Sequence, residues 1–213
     1  MPETERPLPM PHRLTLPAAF ALGATVPLAF APFGLYPIAV VALALLFLLL
    51  RGRTPAAALR LGYVFGLGMF GVGVNWVYIS IHYFGGSPLP AAIGTMLLLV
   101  AFLSLFPALL AYAAARIGAG GAAALLLVLP AGWALTEWLR GWLFTGFPWL
   151  NLGYTQIDGP LAGFAPLLGI YGLGWLVAFS AGAAAWAVAE RGRARWLGPL
   201  TSANRIAREN IAL

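Results

Sequence analysis

Residues 91–115 read Ala-Ala-Ile-Gly-Thr-Met-Leu-Leu-Leu-Val-Ala-Phe-Leu-Ser-Leu-Phe-Pro-Ala-Leu-Leu-Ala-Tyr-Ala-Ala-Ala, 25 positions without one charged side chain. A helix crosses the hydrocarbon of a bilayer with about 20 mainly apolar residues, so length and composition read this block as a membrane span. Five further blocks of the same character lie to either side: Leu14 to Phe30, Gly34 to Leu50, Leu59 to Ile81, Ala122 to Trp142 and Phe164 to Ala189. The first two are close to the short limit for a crossing. The expected fold is an all-α membrane protein, a six-helix transmembrane bundle over residues 14–189.

The composition of the 213 residues agrees, with 62% hydrophobic and 8% charged, whereas soluble domains carry about a quarter charged residues. All 12 basic residues are arginine, and the chain has neither lysine nor cysteine. This excludes a cysteine nucleophile, a thiolate metal site, a disulfide framework and a lysine Schiff base within these residues. A net charge of +6 points to nucleic acid only where the basic residues cluster on one face. Here they are scattered between apolar blocks, so a membrane is the expected partner and nucleic acid is not.

The arginines also orient the bundle, because cytoplasmic loops retain positive charge. Arg6 and Arg13 precede the first span, Arg51, Arg53 and Arg60 surround the loop after the second, Arg116 follows the fourth, and Arg191, Arg193 and Arg195 follow the sixth. The intervening segments 31–33, 82–90 and 143–163 contain none. The pattern predicts a cytoplasmic N-terminal segment 1–13, a membrane domain 14–189 and a cytoplasmic tail 190–213. A signal peptide ending at Ala29-Phe30-Ala31 is the alternative for the first block, but cleavage there would put Pro32 first in the mature chain. The block is therefore read as an uncleaved span. Gly62, Gly66, Gly68, Gly71 and Gly73 recur along the third span, where small side chains let helix backbones approach closely in lipid. That span is expected inside the bundle. No internal repeat of 20 to 50 residues is visible.

Most intramembrane enzyme designs fail on the residue inventory. His12 and His82 fall on opposite sides, so no H-E-x-x-H metal site exists, and Asp158 is the sole aspartate, which excludes an aspartyl dyad in one chain. No serine lies in a G-x-S-x-G context. No metal or other cofactor is expected. Polar and aromatic residues concentrate instead at the arginine-poor ends of the spans: Asn75, Trp76 and Tyr78, then His82 and Tyr83, then the loop Thr145 to Pro160 with Trp149, Tyr154 and Gln156. Tryptophan and tyrosine collect at any membrane interface, so the aromatic residues taken singly read as an interfacial belt. Asn75, placed on the third span, is expected to bond a neighbouring helix or face a polar cavity.

Glu137 and Arg140 stand three residues apart on one helix face. With their span centred near residue 132, a rise of 1.5 Å per residue puts them roughly 7 Å and 12 Å from the midplane. The hydrocarbon extends about 15 Å from that plane. Charges at that depth face a partner or a cavity. Two readings stay open: an ion pair that fixes packing, or a guanidinium that holds a phosphate or carboxylate at the outer surface. Asn75, Trp76, His82, Glu137, Arg140, Trp149, Tyr154 and Gln156 are the candidate substrate- or lipid-binding residues, and none is assigned as catalytic.

The combination of Phe30-Ala-Pro-Phe33, the run Gly71 to Ile81 (GVGVNWVYISI), Phe84-Gly-Gly86, Thr136-Glu-Trp-Leu-Arg-Gly-Trp142 and Thr145 to Pro160 resembles the bacterial apolipoprotein N-acyltransferase family. The resemblance implies an inner-membrane enzyme that moves an acyl chain from a phospholipid to the α-amine of the diacylglyceryl-cysteine of an apolipoprotein. It further implies a seventh helix leading to a periplasmic nitrilase-like domain with a Glu-Lys-Cys triad, in which cysteine carries the acyl thioester. These residues contain no position for that cysteine or lysine, and after Trp196 to Leu200 the tail Thr201 to Leu213 is too short and polar to cross a membrane. The expectation is the membrane region of such an enzyme, truncated before its catalytic domain by a frameshift, early stop or partial gene, and inactive alone. The alternatives are a non-enzymatic membrane module that binds lipid or a partner, and a small transporter.

Overall fold

The computed structural model describes residues 12–118 and 121–211, with side chains described for 14–118 and 121–191. Arg6, the rest of segment 1–11 and residues 212–213 lie outside the described residues. The described residues are predominantly helical, with no strand among them. Its principal helices are α1 (His12–Thr25), α2 (Pro37–Leu50), α3 (Pro55–Gly73), α4 (Leu89–Leu103), α5 (Leu105–Ile117), α6 (Leu129–Arg140) and α7 (Ala165–Ile211).

Local sequence fixes most of the boundaries. Thr54 caps α3, accepting from Ala57 N at 3.4 Å, and Pro55 occupies the first turn, where its missing N–H costs nothing. Gly118, at φ 66°, ends α5 in the left-handed conformation glycine adopts readily. Between α4 and α5 the helix breaks at Ser104, three residues before Pro107, whose ring and absent N–H disrupt the preceding turn. Ser104 Oγ donates to Val100 O at 2.7 Å there. The segment Gly121–Ala123 and a π-helical stretch Ala124–Val128 lead into α6, and α7 is interrupted near its start at Gly169.

Four helical segments are long and apolar enough to cross a membrane: Pro55–Gly73, Leu89–Ile117 (α4 and α5 together), Gly121–Arg140 and Ala162–Arg191. The segments Leu14–Ala29 and Pro37–Leu50, expected as the first two spans, are apolar but shorter. At 14 residues, α2 extends about 21 Å, less than the roughly 30 Å of hydrocarbon. The outer faces remain apolar, with Leu98, Leu127 and Leu167 all more than half exposed, as suits helices solvated by lipid chains.

The third expected span ends sooner than the sequence indicated. Helix α3 stops at Gly73, and Val74 to Trp76 form a turn before the short helices Val77–Ile79 and Ser80–Phe84. Asn75 is thus exposed in that turn and not on a continuous helix. Polar residues capable of turning the chain interrupt the apolar run, and hydropathy alone does not register the break.

The glycine reading of α3 holds. This helix is the most buried of the four long segments and packs chiefly on α1 and α5. A Cβ on Gly68 would collide with Phe20 O of α1, and one on Gly62 with Pro107 O of α5. Gly23 of α1 lies equally close to Phe65 O of α3. The core between these helices is filled by Phe47, Phe65, Met69, Leu103 and Leu125.

Candidate functional site

Trp133, Glu137 and Arg140 lie at positions i, i+4 and i+7 of α6 and therefore share one face. All three are buried, as are the loop residues Asn151, Leu152, Thr155 and Gln156. Glu137 and Arg140 do not hydrogen-bond each other. Glu137 Oε1 accepts from Trp133 Nε1 at 3.0 Å and from the backbone N of Leu152 at 2.8 Å. Arg140 Nη1 donates to Phe147 O at 2.8 Å and also to Trp149 O, while Nη2 donates to Asn151 Oδ1 at 2.6 Å. Phe147 N in turn donates to Arg140 O at 2.7 Å. The Arg140 guanidinium carbon sits 5.3 Å from the centroid of the Phe70 ring, a cation–π contact with α3.

Glutamate and arginine thus clasp successive backbone groups of the loop between α6 and α7, from Phe147 to Leu152. A planar guanidinium presents several donors in a fixed fork, so one side chain can hold three acceptors spaced along an irregular backbone. The loop pays for this with a left-handed Leu150 (φ 60°), a conformation that costs free energy for a non-glycine residue. Leu150 is held by its side chain, which packs over the bare Cα of Gly73, and by the Arg140 bonds on both sides of it. From Leu152 the chain enters a 3-10 turn, Leu152–Gln156, where Thr155 Oγ1 donates to Leu152 O at 2.7 Å and Gln156 Nε2 donates to Thr155 Oγ1 at 3.0 Å. Helix α7 closes over this turn, since a Cβ on Gly153 would strike Ile170 O and one on Gly174 would approach Glu137 Oε2 at 2.6 Å.

Of the candidate residues, the structure brings Glu137, Arg140, Trp149 and Gln156 into one assembly. Trp76 joins it through its ring, 4.9 Å from that of Trp149. Trp76, Trp149 and Tyr154 each keep more than a third of their surface exposed, giving an aromatic shelf above a buried polar clasp. His82 is tied to its own loop, with Nδ1 2.7 Å from Ser87 O and its ring against Tyr83. The cavity beside Glu137 and Arg140, bounded by Met69, Phe70, Phe106 and Trp133, is only about 10 Å³, comparable to one water. It is too small for a lipid headgroup. Trp133 and Asn151 were not among the candidates, although Trp133 stands one helical turn before Glu137 on the same face and was open to detection by spacing. Asn151 was not, because only the loop's path brings it to Arg140. No group of residues suited to hold a metal occurs among the described residues.

Four apolar helical segments of spanning length with apolar outer faces, one of them clasping a structured loop, fit the class of multi-pass α-helical membrane proteins. The family model described as the apolipoprotein N-acyltransferase N-terminal domain matches residues 22–183. The chain belongs to the apolipoprotein N-acyltransferase family. Curated relatives bearing that name include those of Methylococcus capsulatus, 49% identical over 80% of this chain and 34% of the relative, and Nitrosomonas europaea, 50% identical over 85% and 37%. The Vibrio cholerae relative is 45% identical over 87% of this chain and 37% of its own length. The chain thus spans about a third of the length of these relatives.

Proposed function

We propose that these 213 residues form the membrane region of a phospholipid-dependent apolipoprotein N-acyltransferase of the bacterial inner membrane. In this reading six spans cover residues 14–189, with segments 1–13 and 190–213 cytoplasmic. The observation that carries the proposal is the clasp: two buried charges are committed to shaping the loop Phe147–Gln156, which exposes Trp149, packed on Trp76, and Tyr154. A charged pair this deep is costly, and here it builds an entrance for lipid and lipoprotein in place of a reaction centre. The phospholipid supplies the acyl chain and the diacylglyceryl-cysteine of an apolipoprotein receives it. Acyl-thioester chemistry needs a cysteine, and these residues contain none, so the membrane region contributes substrate access and not the transfer itself.

Reconstitution tests both halves. In proteoliposomes, this chain alone should give no N-acylation of a diacylglyceryl-cysteine peptide, read by mass spectrometry. Fusing it at the end of α7 to the remainder of the Methylococcus capsulatus relative should produce acylated peptide. Transfer by the chain alone, or an inactive but well-folded fusion, would refute the reading.

The orientation has its own measurement, because the cysteine-free sequence gives no labelling background. Ala56→Cys should be protected from a membrane-impermeant maleimide in intact spheroplasts and label after lysis. Ser87→Cys and Ile157→Cys should label without lysis. The opposite pattern would invert the topology.

A further inference from the structure

Helix α3 meets α4 and α5 differently on the two sides of Ser104. On the α5 side the backbones are locked together: a Cβ on Gly66 would come within 2.7 Å of Ser104 Cα, and one on Gly62 would overlap Pro107 O. On the α4 side, Gly94 of α4 and Gly71 of α3 have no atom within 4 Å of where a Cβ would stand. Helix α4 therefore leaves the bundle at Ser104, and between Leu89 and Leu99 it buries only Ala92. The break has a local cause, because Pro107 has no N–H to give Leu103 O and sharp helix kinks sit at prolines.

The turn Val74 to Trp76 interrupts the chain at the other foot, before the short helices Val77–Ile79 and Ser80–Phe84, neither of which buries a residue. Ser87 N donates to Ile81 O at 3.2 Å, and His82 Nδ1 lies 2.7 Å from Ser87 O, which ties the short helices to the start of α4. Residues 77–103 thus form one helical hairpin with a break at each foot. Each foot also carries an aromatic contact to the loop after α6: Trp76 lies 4.9 Å from Trp149, and Phe102 lies 5.8 Å from Phe144, between ring centroids. That loop is pinned at its base by Phe147 N on Arg140 O. It holds Phe144 (φ 52°) and Thr145 (φ 78°) in the left-handed region, which residues with a Cβ seldom adopt. Such strain persists where surrounding contacts over-determine it. Phe144 is 79% exposed, so core packing does not hold it, whereas its ring engages Phe102 edge on.

We propose that residues 77–103 are a hinged flap whose angle is set by the aromatic contacts at its two feet, Phe144 on Phe102 and Trp149 on Trp76. Release of these contacts swings α4 away about Ser104, while the close packing on Gly62 and Gly66 keeps α5 in place. The swing parts Trp76 from Trp149 and opens the side of the aromatic shelf to the bilayer. Its bearing on substrate access rests on the proposed function. The hinge itself is read as a distance and needs no acyl transfer, so either can fail without the other.

The full chain, which has no native cysteine, is reconstituted in nanodiscs with nitroxide labels on Ala91→Cys and Val188→Cys, or on Leu109→Cys and Val188→Cys. All three positions are exposed. Ala91 lies on the flap, a rise of about 20 Å from Ser104, Leu109 lies on the anchored side, and Val188 on α7 is the common reference. Double electron–electron resonance reads both distances. Phe144→Gly removes the ring and suits a left-handed backbone. It should shift the Ala91 distance by about 7 Å, the arc of a 20° swing at that radius, and leave the Leu109 distance unchanged. Phe102→Leu breaks the same contact from the flap side and should do the same. An Ala91 distance that neither variant changes, a shift with one variant and not the other, or an equal shift of both distances would each overturn the proposal.

Discussion

Arg140→Ala is expected to destabilise the protein by about 3–5 kcal/mol, the range for removing one member of a buried charged pair. The substitution strips the donors from Phe147 O, Trp149 O and Asn151 Oδ1 at once. These acceptors lie against the bundle, where an unmade hydrogen bond costs about 1–3 kcal/mol. It also leaves Glu137 buried beside no cation. The left-handed Leu150 loses the bonds that flank it, so the loop should relax away from α6 even where the bundle survives. Denaturant unfolding in bicelles, followed by tryptophan fluorescence, measures the first effect. Limited proteolysis between residues 141 and 156 measures the second, and cleavage should rise sharply. Arg140→Lys should fall between, since an ammonium is a point donor and cannot reproduce the fork that reaches all three acceptors. A stable, protease-resistant Arg140→Ala protein would show that the loop holds itself.

Gly68→Ala and Gly71→Ala should differ far more than their spacing on one helix suggests. Both exchanges gain about 1 kcal/mol of helix propensity, so the difference between them isolates packing. A methyl on Gly68 meets the backbone carbonyl of Phe20, which cannot swing aside, whereas one on Gly71 has no atom within 4 Å. Overpacking costs typically 1–3 kcal/mol where side chains absorb it, and the rigid carbonyl puts Gly68→Ala at or above the top of that range. Gly71→Ala should be neutral or slightly stabilising. The same unfolding measurement on the two variants is the check, and equal stabilities would mean that α1 and α3 are not held in close contact.

The membrane character of the chain was legible because hydropathy is a local quantity. Twenty-five uncharged residues in a row need no knowledge of the fold to be read as a span. The recurrent glycines of α3 were similarly readable, since small side chains on a membrane helix serve close helix approach, although which neighbour each one meets, α5 at Gly62 and α1 at Gly68, was not. Lengths of individual helices were less accessible. Hydropathy continued through Asn75 to Ile81 while the backbone turned at Val74, and the apolar helices Leu14–Ala29 and Pro37–Leu50 proved shorter than the four segments of spanning length. Apolar residues are equally at home in a helix, a turn packed on it or a short π-helical segment, so composition does not place the ends.

Glu137 and Arg140 mark the same boundary between local and non-local information. The sequence alone determined that two opposite charges lie within a membrane-spanning helix on one face, and the cost of burying charge made them exceptional. It left open whether they bind each other or a ligand. The tertiary structure decided that they bind mainly the loop, Arg140 three acceptors between Phe147 and Asn151 and Glu137 the N–H of Leu152. Apart from the Asn151 amide oxygen, those partners are backbone groups 7 to 15 residues away, and every residue type offers the same carbonyl and, except proline, the same N–H. Which of them arrives at a given side chain depends on the course of the chain through space, and that is set by the left-handed turn at Leu150, the bare Cα of Gly73 and the closure of α7 together.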